Sequence, residues 1–197
     1  MNEIFEYDFT GYIPSGTIQF VKKYLAAYHD IITIKPINIP NDLLRNEYLK
    51  RSVTYKLKGV YQFDSKKFVK SDTEIKGTTD IVEYLEVPDD GRYLVSDLIE
   101  IESEWRAFVF NNELVGLQNY IGDFTMFPDV HLIKKMINEY KNCPPAYTLD
   151  VGVNSKDGTF LIECHNFYSC GTYGFSNNRI IPQMIISSFR HLVRHGF

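Results

Sequence analysis

The chain has 197 residues, of which 44% are hydrophobic and 15% aromatic, and this composition predicts a packed globular protein and argues against disorder. Its formal net charge of −4 gives no basic footprint for nucleic acid, and no apolar run approaches the roughly 20 residues that span a bilayer. The acidic amino terminus lacks a signal-peptide pattern, and three cysteines without framework spacing are typical of reduced thiols, so we expect a cytoplasmic protein.

The first 55 residues are predicted to form two helices around a strand and a loop. "SGTIQFVKKYLAAYHD" has apolar residues at helical spacing from Ile18 to Tyr28, with Ser15 as the expected N-cap. "IITIKPINIP" predicts a strand followed by a proline-containing loop, and "PNDLLRNEYLKRS" predicts a second short helix capped by Asn41.

From about Lys56 the pattern changes to short strands separated by turn residues. The predicted strands are "GVYQFD", "KKFVKS", "DIVEYL" and "RYLVSDLIEI". A hairpin is predicted next, because "EWRAFVF" and "ELVGLQNY" are joined by the dipeptide Asn111–Asn112.

The remaining sequence predicts two helices and a second hairpin. "PDVHLIKKMINEYKN" is a predicted helix with Asp129 as N-cap, and "AYTLDVGVN" and "TFLIECH" form a hairpin through "SKDG". "PQMIISSFRHLVRHG" predicts a closing helix with Pro182 early and Gly196 near its end. Antiparallel strands with helices between them indicate an α+β architecture.

Two carboxylates occupy the second hairpin, Asp150 in its first strand and Glu163 in its second. A short connection can bring them together across the ladder, where they repel unless a cation lies between them. Such oxygen ligands suit Mg²⁺, and His165 or Asn166 would add another ligand. The alternative is that all four residues are ordinary strand-end and turn residues.

Cysteine chemistry offers two weaker interpretations of the same segment. Cys170 and His165 would form a catalytic pair, but no third orienting group is evident. Zinc bound by Cys164, His165 and Cys170 would need a fourth ligand and a less cramped spacing.

Two lysines and one arginine are candidate anion ligands. Lys70 ends an apolar strand, and Lys76 precedes a Gly-Thr-Thr turn whose backbone and hydroxyls suit phosphates, although a solvated edge strand would also carry such lysines. Arg106 lies within "EWRAFVF", where it needs a buried acid or a bound anion, and the simplest partners are Glu102 or Glu104.

These segments, in this order, resemble the ATP-grasp superfamily, in particular its small peptide-ligase-like clade, which is defined by two arginines and a lysine and occurs in phages and bacteria. The resemblance rests on "FVK", "IKGTT", "YLVSDLIEIESEWRAFV", "YTLDVGV" and "LIECHNFYSCGTYGF", and it covers roughly Lys56 to Phe175. It implies an α+β ATP-grasp domain at 56–197, whose two subdomains grip ATP between mostly antiparallel sheets. A shortened N-terminal α/β segment, 1–55, would precede it.

The resemblance also implies roles for individual residues. Lys70 and Lys76 would bind the phosphates, Arg106 would lie near the transferred phosphate and the acylphosphate, and "SCGTYG" would face the acceptor substrate. The two metal ligands would be Asp150 and Glu163. The hinge strand would bind adenine and ribose through Ser96, Asp97, Leu98, and Glu100 or Glu102.

The sequence departs from the family pattern in two places. The usual ending is Glu-x-Asn, whereas here His165 occupies the Asn position and Asn166 follows, so either could be the third metal ligand. Only about 55 residues precede the matched region, and Arg51, near Arg45 on the predicted second helix, would be one of the clade's arginines or part of a solvated helix face.

The activity implied is that of an ATP-dependent carboxylate–amine ligase working through an acylphosphate, with small-molecule or peptide acids and amines as substrates and Mg²⁺ as the metal. Three alternatives remain open from the sequence. In the first, the domain binds nucleotide without ligase activity. In the second, it transfers phosphate to a hydroxyl at the same site, and in the third it is an interaction protein without an ATP site.

Overall fold

The computed structural model describes residues 7–195, and within them it contains two four-stranded antiparallel sheets and four α-helices. This confirms the predicted α+β class. Residues 1–6, the start of the acidic amino terminus, lie outside the described residues, and so does Gly196, which was expected near the end of the last helix.

The first sheet has the strand order β1-β4-β2-β3. Its strands are β1 (Val53–Lys56), β2 (Gly59–Ser71), β3 (Thr79–Val87) and β4 (Tyr93–Asp97). The segments "GVYQFD" and "KKFVKS", predicted as separate strands, are one strand, because an irregularity between Gln62 and Lys67 takes up the intervening residues without ending the pairing with β3.

The second sheet has the order β6-β5-β7-β8 and contains both predicted hairpins. Its strands are β5 (Ser103–Phe110), β6 (Glu113–Gly122), β7 (Ala146–Asn154) and β8 (Gly158–Asn166). Asn111 and Asn112 have φ angles of 50° and 63°, the left-handed backbone that a two-residue hairpin turn requires.

The helices are α1 (Ile18–Tyr28), α2 (Asn46–Leu49), α3 (Val130–Glu139) and α4 (Ile180–His195). Asp129 caps α3 as predicted, accepting hydrogen bonds from the backbone N–H groups of His131 and Leu132. The prediction of Ser15 as the cap of α1 is wrong, since Thr17 accepts the bond from the Phe20 N–H at 3.3 Å. None of the helices among residues 7–195 has the length and apolar content needed to cross a membrane.

Two predictions for the N-terminal segment are also wrong. "IITIKPINIP" forms no strand; it is an extended loop with one bridge, between Asn38 and Cys164, because its two prolines cannot donate to a ladder. The second helix is broken into a 3₁₀ turn, Asn41–Leu43, and the short α2, whose N-cap is Arg45 rather than Asn41.

The hydrophobic cores are unequal. The largest cluster lies between the second sheet and α2 and α3, and it includes Tyr147, Leu149 and Ile133, all fully buried. A second cluster packs α1 against α4, so the N-terminal helix is held by the C-terminal one. The first sheet has a small cluster of four buried residues, namely Val69, Leu85, Val87 and Val95.

Candidate functional site

Strand register in the second sheet brings three charged residues into one row. Arg106 on β5 pairs with Asp150 on β7, and Asp150 pairs with Glu163 on β8. Residues directly opposite in an antiparallel ladder point to the same face, so the three side chains are neighbours. The predicted proximity of Asp150 and Glu163 is therefore observed.

Arg106 and Asp150 form a buried bidentate pair. Arg106 Nε lies 2.8 Å from Asp150 Oδ1, and Arg106 Nη2 lies 2.6 Å from Asp150 Oδ2. Burial alone would lower the pKa of Arg106, but Asp150 outweighs it and raises the pKa, so the guanidinium stays charged. The third guanidinium nitrogen, Nη1, donates to the Gly171 carbonyl at 3.1 Å.

The simpler partners considered for Arg106, Glu102 and Glu104, are engaged elsewhere, and that prediction is wrong. Glu102 Oε1 accepts the backbone N–H and the hydroxyl of Ser155, whereas Glu104 Oε2 accepts the Tyr120 hydroxyl at 2.5 Å. The partner of Arg106 is the more distant Asp150, which alternation along one strand could not reveal.

His165 completes the cluster with the two carboxylates. Its Nε2 lies 3.3 Å from Glu163 Oε1 and 3.6 Å from Asp150 Oδ2, and one ligand atom from each of the three residues falls within 4.8 Å of the others. The donor set, two carboxylates and one imidazole, could hold a divalent cation. Asn166 is buried at the end of β8, where strand alternation directs it away from the face that carries Glu163 and His165.

The ionisation of this cluster is set by its cations. Burial would raise the pKa of Glu163, but His165 and Lys70 outweigh it and lower the pKa to about 2. Burial would likewise lower the pKa of His165, yet the adjacent carboxylates raise it to about 9. Glu163 is therefore held ionised between two positive groups.

Lys70 reaches this cluster from the other sheet. It lies on β2 and forms an ion pair with Glu163. Because β2 has β4 and β3 on its two sides, Lys70 is not on a solvated edge strand, and that alternative is wrong. The ion pair joins the two sheets at the site.

A cleft of about 750 Å³, called here the first cleft, opens beside the cluster. Its lining includes five of the predicted site residues, namely Lys70, Lys76, Arg106, His165 and Asn166. It also includes Gly16, Thr17 and Ile18 at the start of α1, a contribution that the sequence did not predict. The cleft is thus bounded by both sheets and by the N-terminal segment.

Two tyrosines frame Arg106 and were also not predicted. The rings of Tyr120 and Tyr173 stack with centroids 4.7 Å apart, and Arg106 Cζ lies 5.5 Å and 4.9 Å from the two centroids. The Tyr120 hydroxyl lies 3.4 Å from Asp150 Oδ2. The only sequence signal was the position of Tyr173 in "SCGTYG", the segment that the resemblance placed at the acceptor.

The predicted hinge residues do not line the first cleft. The Ser96 hydroxyl accepts from Arg51 Nε at 2.9 Å, Asp97 Oδ1 accepts from Lys67 Nζ at 2.6 Å, and Leu98 is half exposed. Glu100 is exposed and Glu102 binds Ser155, as described above. A nucleotide role for these five residues stays a prediction.

Arg51 links the two sheets, which excludes the alternative of a solvated helix face. Besides Ser96 on β4, it binds the carbonyl of Leu161 on β8 through Nη1 at 2.9 Å. Burial lowers the pKa of Arg51 to about 10. Arg45, by contrast, is half exposed and pairs with Glu139.

The cysteine interpretations find no support in the geometry. Cys164 is fully buried, and burial raises the pKa of Cys170 to about 12, which leaves it a protonated thiol. Among residues 7–195, the one cluster of three potential metal ligands contains no cysteine.

Comparison with known proteins identifies the domain. Residues 48–182 match a family model of the ATP-grasp domain, namely family 2 of the clade with two arginines and a lysine. This range includes Arg51, Lys70, Arg106, Asp150 and Glu163. No curated protein sequence matches the chain significantly.

Solved structures with the same fold include D-alanine--D-alanine ligase from Bacillus anthracis, with a TM-score of 0.53, 14% identity, and coverage of 89% of this chain and 77% of that one. The RimK domain protein ATP-grasp from Sphaerobacter thermophilus DSM 20745 has a TM-score of 0.44 and 15% identity, covering 78% and 62%. The ATP-grasp ligase PsnB complexed with minimal precursor has a TM-score of 0.47 and 12% identity, covering 77% and 60%.

At 14% identity the likeness to D-alanine--D-alanine ligase concerns the fold alone. The chain spans about 60% of the length of the other two structures. The family match covers more than half of the chain and agrees with the two-sheet architecture, which confirms the expected superfamily and clade. The chain belongs to the ATP-grasp domain family, in family 2 of the clade with two arginines and a lysine.

Proposed function

We propose that this protein is an ATP-dependent carboxylate–amine ligase that works through an acylphosphate. The observation that carries the proposal is that Lys70 and Arg106, which line the first cleft, are ion-paired with Glu163 and Asp150 beside it, so that four charged residues from two sheets converge there. Membership of the ATP-grasp domain family supports the use of ATP. A solved structure of similar fold, named as D-alanine--D-alanine ligase, supports the reaction class.

The proposed reaction has two steps. A substrate carboxylate oxygen attacks the γ-phosphorus of ATP, the bond to the β–γ bridging oxygen breaks, and ADP leaves. The nitrogen of a neutral amine then attacks the acyl carbon, inorganic phosphate leaves, and the nitrogen loses a proton to give an amide. Neither step requires a covalent bond to the protein.

In this proposal the protein acts by positioning and charge neutralisation. Lys70 on β2 and Lys76 in the turn that follows β2 bind phosphate oxygens as point charges. Arg51 would hold the two sheets in register around the nucleotide, since it already bonds to both. The adenosine contacts of Ser96, Asp97, Leu98, Glu100 and Glu102 remain part of the proposal.

A divalent cation, expected to be Mg²⁺, fits the carboxylates better than the imidazole. Asp150 and Glu163 offer hard oxygen ligands, and His165 rather than Asn166 lies on their face of β8. The bound cation would neutralise charge on the transferring phosphoryl group. In the described geometry Lys70 and His165 provide positive charge beside Glu163, so ligand binding would have to exchange these contacts.

Arg106 is the proposed contact for the transferring phosphoryl group. Its Nε and Nη2 are bound to Asp150, which leaves Nη1 as the donor that can be exchanged. We expect Nη1 to release the Gly171 carbonyl and to donate to the phosphoryl oxygen as charge develops there. Asp150 would hold the guanidinium in place during that exchange.

Glu163→Gln tests the proposal directly. Loss of the carboxylate should lower ADP formation from ATP, with pooled amino acids and short peptides, by at least about 10²-fold at limiting Mg²⁺. Glu113→Gln, at an exposed position of β6, is the matched control and should retain the wild-type rate. A wild-type rate in Glu163→Gln would contradict the metal assignment.

A nucleotide-binding domain without ligase activity is the second candidate. It is favoured by His165, which stands where the family usually has the ligand Asn, and by the pairing of Arg106 with Asp150. Stabilisation by Mg-ATP, about 2.7 kcal/mol at 100 times the dissociation constant, without product from any acid and amine pool would select this candidate. A phosphate ester as product would instead select the phosphotransferase.

The division of the chain at residue 55 and a cytoplasmic location are proposals as well. Strand β1 runs from Val53 to Lys56 across that position.

A further inference from the structure

A second cleft, of about 520 Å³, lies beside the first and shares three of its lining residues, namely Pro36, Ile37 and Asn166. It is formed by the loop that precedes the 3₁₀ turn, by the first sheet, and by the segment that follows α3. Its size falls in the range of small-ligand sites. None of the residues assigned to nucleotide or metal lines it except Asn166.

Arg92 is the polar side chain of the second cleft that is best placed to bind a ligand. Its Nε lies 3.1 Å from Asp72 Oδ2, and its Cζ lies 4.1 Å from the centroid of the Tyr55 ring. Asp72 is itself fixed, because Asn38 Nδ2 donates to its Oδ1 at 2.6 Å. The guanidinium is thus held on one edge and on one face.

The opposite edge of Arg92 is available to a ligand. Among residues 7–195 its two terminal nitrogens have no hydrogen-bond acceptor, and they form the end-on fork that matches a planar carboxylate. Asp72 and Tyr55 already hold the Arg92 side chain in place. Binding of an anion would therefore cost little additional side-chain conformational entropy.

Charge in the second cleft selects the kind of anion. Lys35 adds a positive charge, and it forms no ion pair within the described part of the chain. Two acids also line the cleft. Asp72 is paired with Arg92, and Asp42 Oδ2 accepts a hydrogen bond from the backbone N–H of Lys141 at 3.0 Å. These acids would repel a dianionic phosphate more strongly than a monoanionic carboxylate.

The walls of the second cleft suit an organic ligand. Ile37, Ile39, Pro40 and Pro144 give it apolar surface, and the asparagine side chains Asn41 and Asn142 offer donors and acceptors for peptide groups. A carboxylate attached to a small apolar or peptidic body therefore matches both the charge and the lining.

We propose that the second cleft binds the free α-carboxylate of an amino acid or short peptide, with Arg92 as the bidentate donor and Lys35 as a second positive charge. The site is distinct from the proposed nucleotide machinery, and its ligand binding does not depend on ligase activity.

NMR titration of the isotope-labelled full chain tests this site, with trialanine, trialanine amide and inorganic phosphate as probes. Trialanine should shift the backbone signals of residues 35–42 and 72–73, and the amide should bind at least about tenfold more weakly because it lacks the carboxylate. Arg92→Lys, which keeps the charge beside Asp72 but loses the fork, should weaken trialanine binding about tenfold. Lys35→Gln, at an exposed position, should weaken it about threefold.

Matched variants make the outcome decisive. Lys76→Gln alters the first cleft alone and should leave trialanine affinity unchanged. If Arg92 only neutralises Asp72, Arg92→Lys and Lys35→Gln will bind trialanine like the wild type, which would overturn the proposal. Equal binding of trialanine and its amide would overturn it too, as would displacement of trialanine by an equal or lower concentration of phosphate.

Discussion

The two sheets differ in how firmly they hold their functional side chains. All nine residues of β7 are buried, whereas in β3 only Leu85 and Val87 are. The second sheet packs against the largest core, and it also buries Arg106 and Asp150. The first sheet has a small core and carries its lysines at partly exposed or exposed positions.

Because of this difference, we expect the two sheets to contribute to the site in different ways. Arg106 and Asp150 are fixed by burial and by a bidentate contact, so their geometry is set before any ligand binds. Lys70 and Arg51 connect the sheets through only a few polar contacts. We expect substitutions in the second sheet to affect both stability and chemistry, and those in the first sheet to affect ligand affinity with only small changes in stability.

Asp150→Asn is expected to have the largest effect. It leaves the buried Arg106 guanidinium without its charged partner, and breaking such a pair costs about 3–5 kcal/mol of unfolding free energy. ADP formation should be lost as well, if Asp150 binds the metal. Urea denaturation measures the first effect, and Asp64→Asn, exposed on β2, should stay within about 0.5 kcal/mol of wild type. An unfolding free energy within that margin for Asp150→Asn would contradict a buried pair.

Arg106→Lys should lower single-turnover ADP formation by about 10²-fold, which corresponds to about 2.7 kcal/mol of transition-state stabilisation. Lysine keeps a charge beside Asp150 but loses the fork and the Nη1 donor. ATP affinity should change much less, because the contact strengthens only during phosphoryl transfer. Arg179→Lys, at an exposed position, is the control.

Unfolding and single-turnover rates should be measured on the same Arg106→Lys preparation. A loss of stability with normal single-turnover chemistry would restrict Arg106 to a structural role.

The sequence predicted the second sheet more completely than the N-terminal segment, for a physical reason. The hairpin turns at Asn111–Asn112 and within 155–157 are local signals, and alternation along the flanking strands fixes which side chains share a face. The proximity of Asp150 to Glu163 needs more than this turn. The register that the turn sets, with Val151 opposite Leu161, would place Asp150 opposite Ile162, and an irregularity between Asp150 and Val151 shifts the pairing to Glu163. The loop 31–40 has strand-like composition, but its conformation depends on distant contacts such as that between Asn38 and Cys164.

Partners brought together from different elements could not be predicted. The pairing of Arg106 with Asp150 depends on the register between β5 and β7, which are separated by β6 and α3. Lys70 meets Glu163 only because the two sheets pack as they do. The contribution of Gly16–Ile18 to the first cleft likewise arises from packing between α1 and α4, which no local pattern encodes.

Lys70→Ala should weaken ATP binding about tenfold while leaving the unfolding free energy within about 0.5 kcal/mol of wild type. Its side chain is partly exposed and belongs to the less buried sheet, so its loss leaves no cavity in a core. Lys70→Arg should not fully restore affinity, because a planar fork and a point charge differ in reach. Lys66→Ala, exposed on the same strand, is the control, and unchanged nucleotide affinity in Lys70→Ala would remove this residue from the site.

The smallest expected effect concerns acid sensitivity of the first sheet. The hydrogen bond from Lys67 is the main cause that lowers the pKa of Asp97, and the Ser52 N–H contributes. A carboxyl whose folded pKa lies below its unfolded value of about 3.9 stabilises the fold above that value. This stabilisation is lost as pH falls through the folded pKa, because the folded and unfolded states then bind the proton equally.

Asp97→Asn should therefore lower the urea midpoint slightly at pH 6, and the difference from wild type should shrink as pH falls below about 4. Other acids titrate in both proteins and cancel in this difference. Because the Asp97 side chain is 42% exposed, added salt should reduce the effect, whereas the destabilisation by Asp150→Asn in the buried sheet should respond little to salt. A difference that stays constant from pH 6 to pH 2.5 would mean that Asp97 stabilises this sheet through its shape rather than its charge.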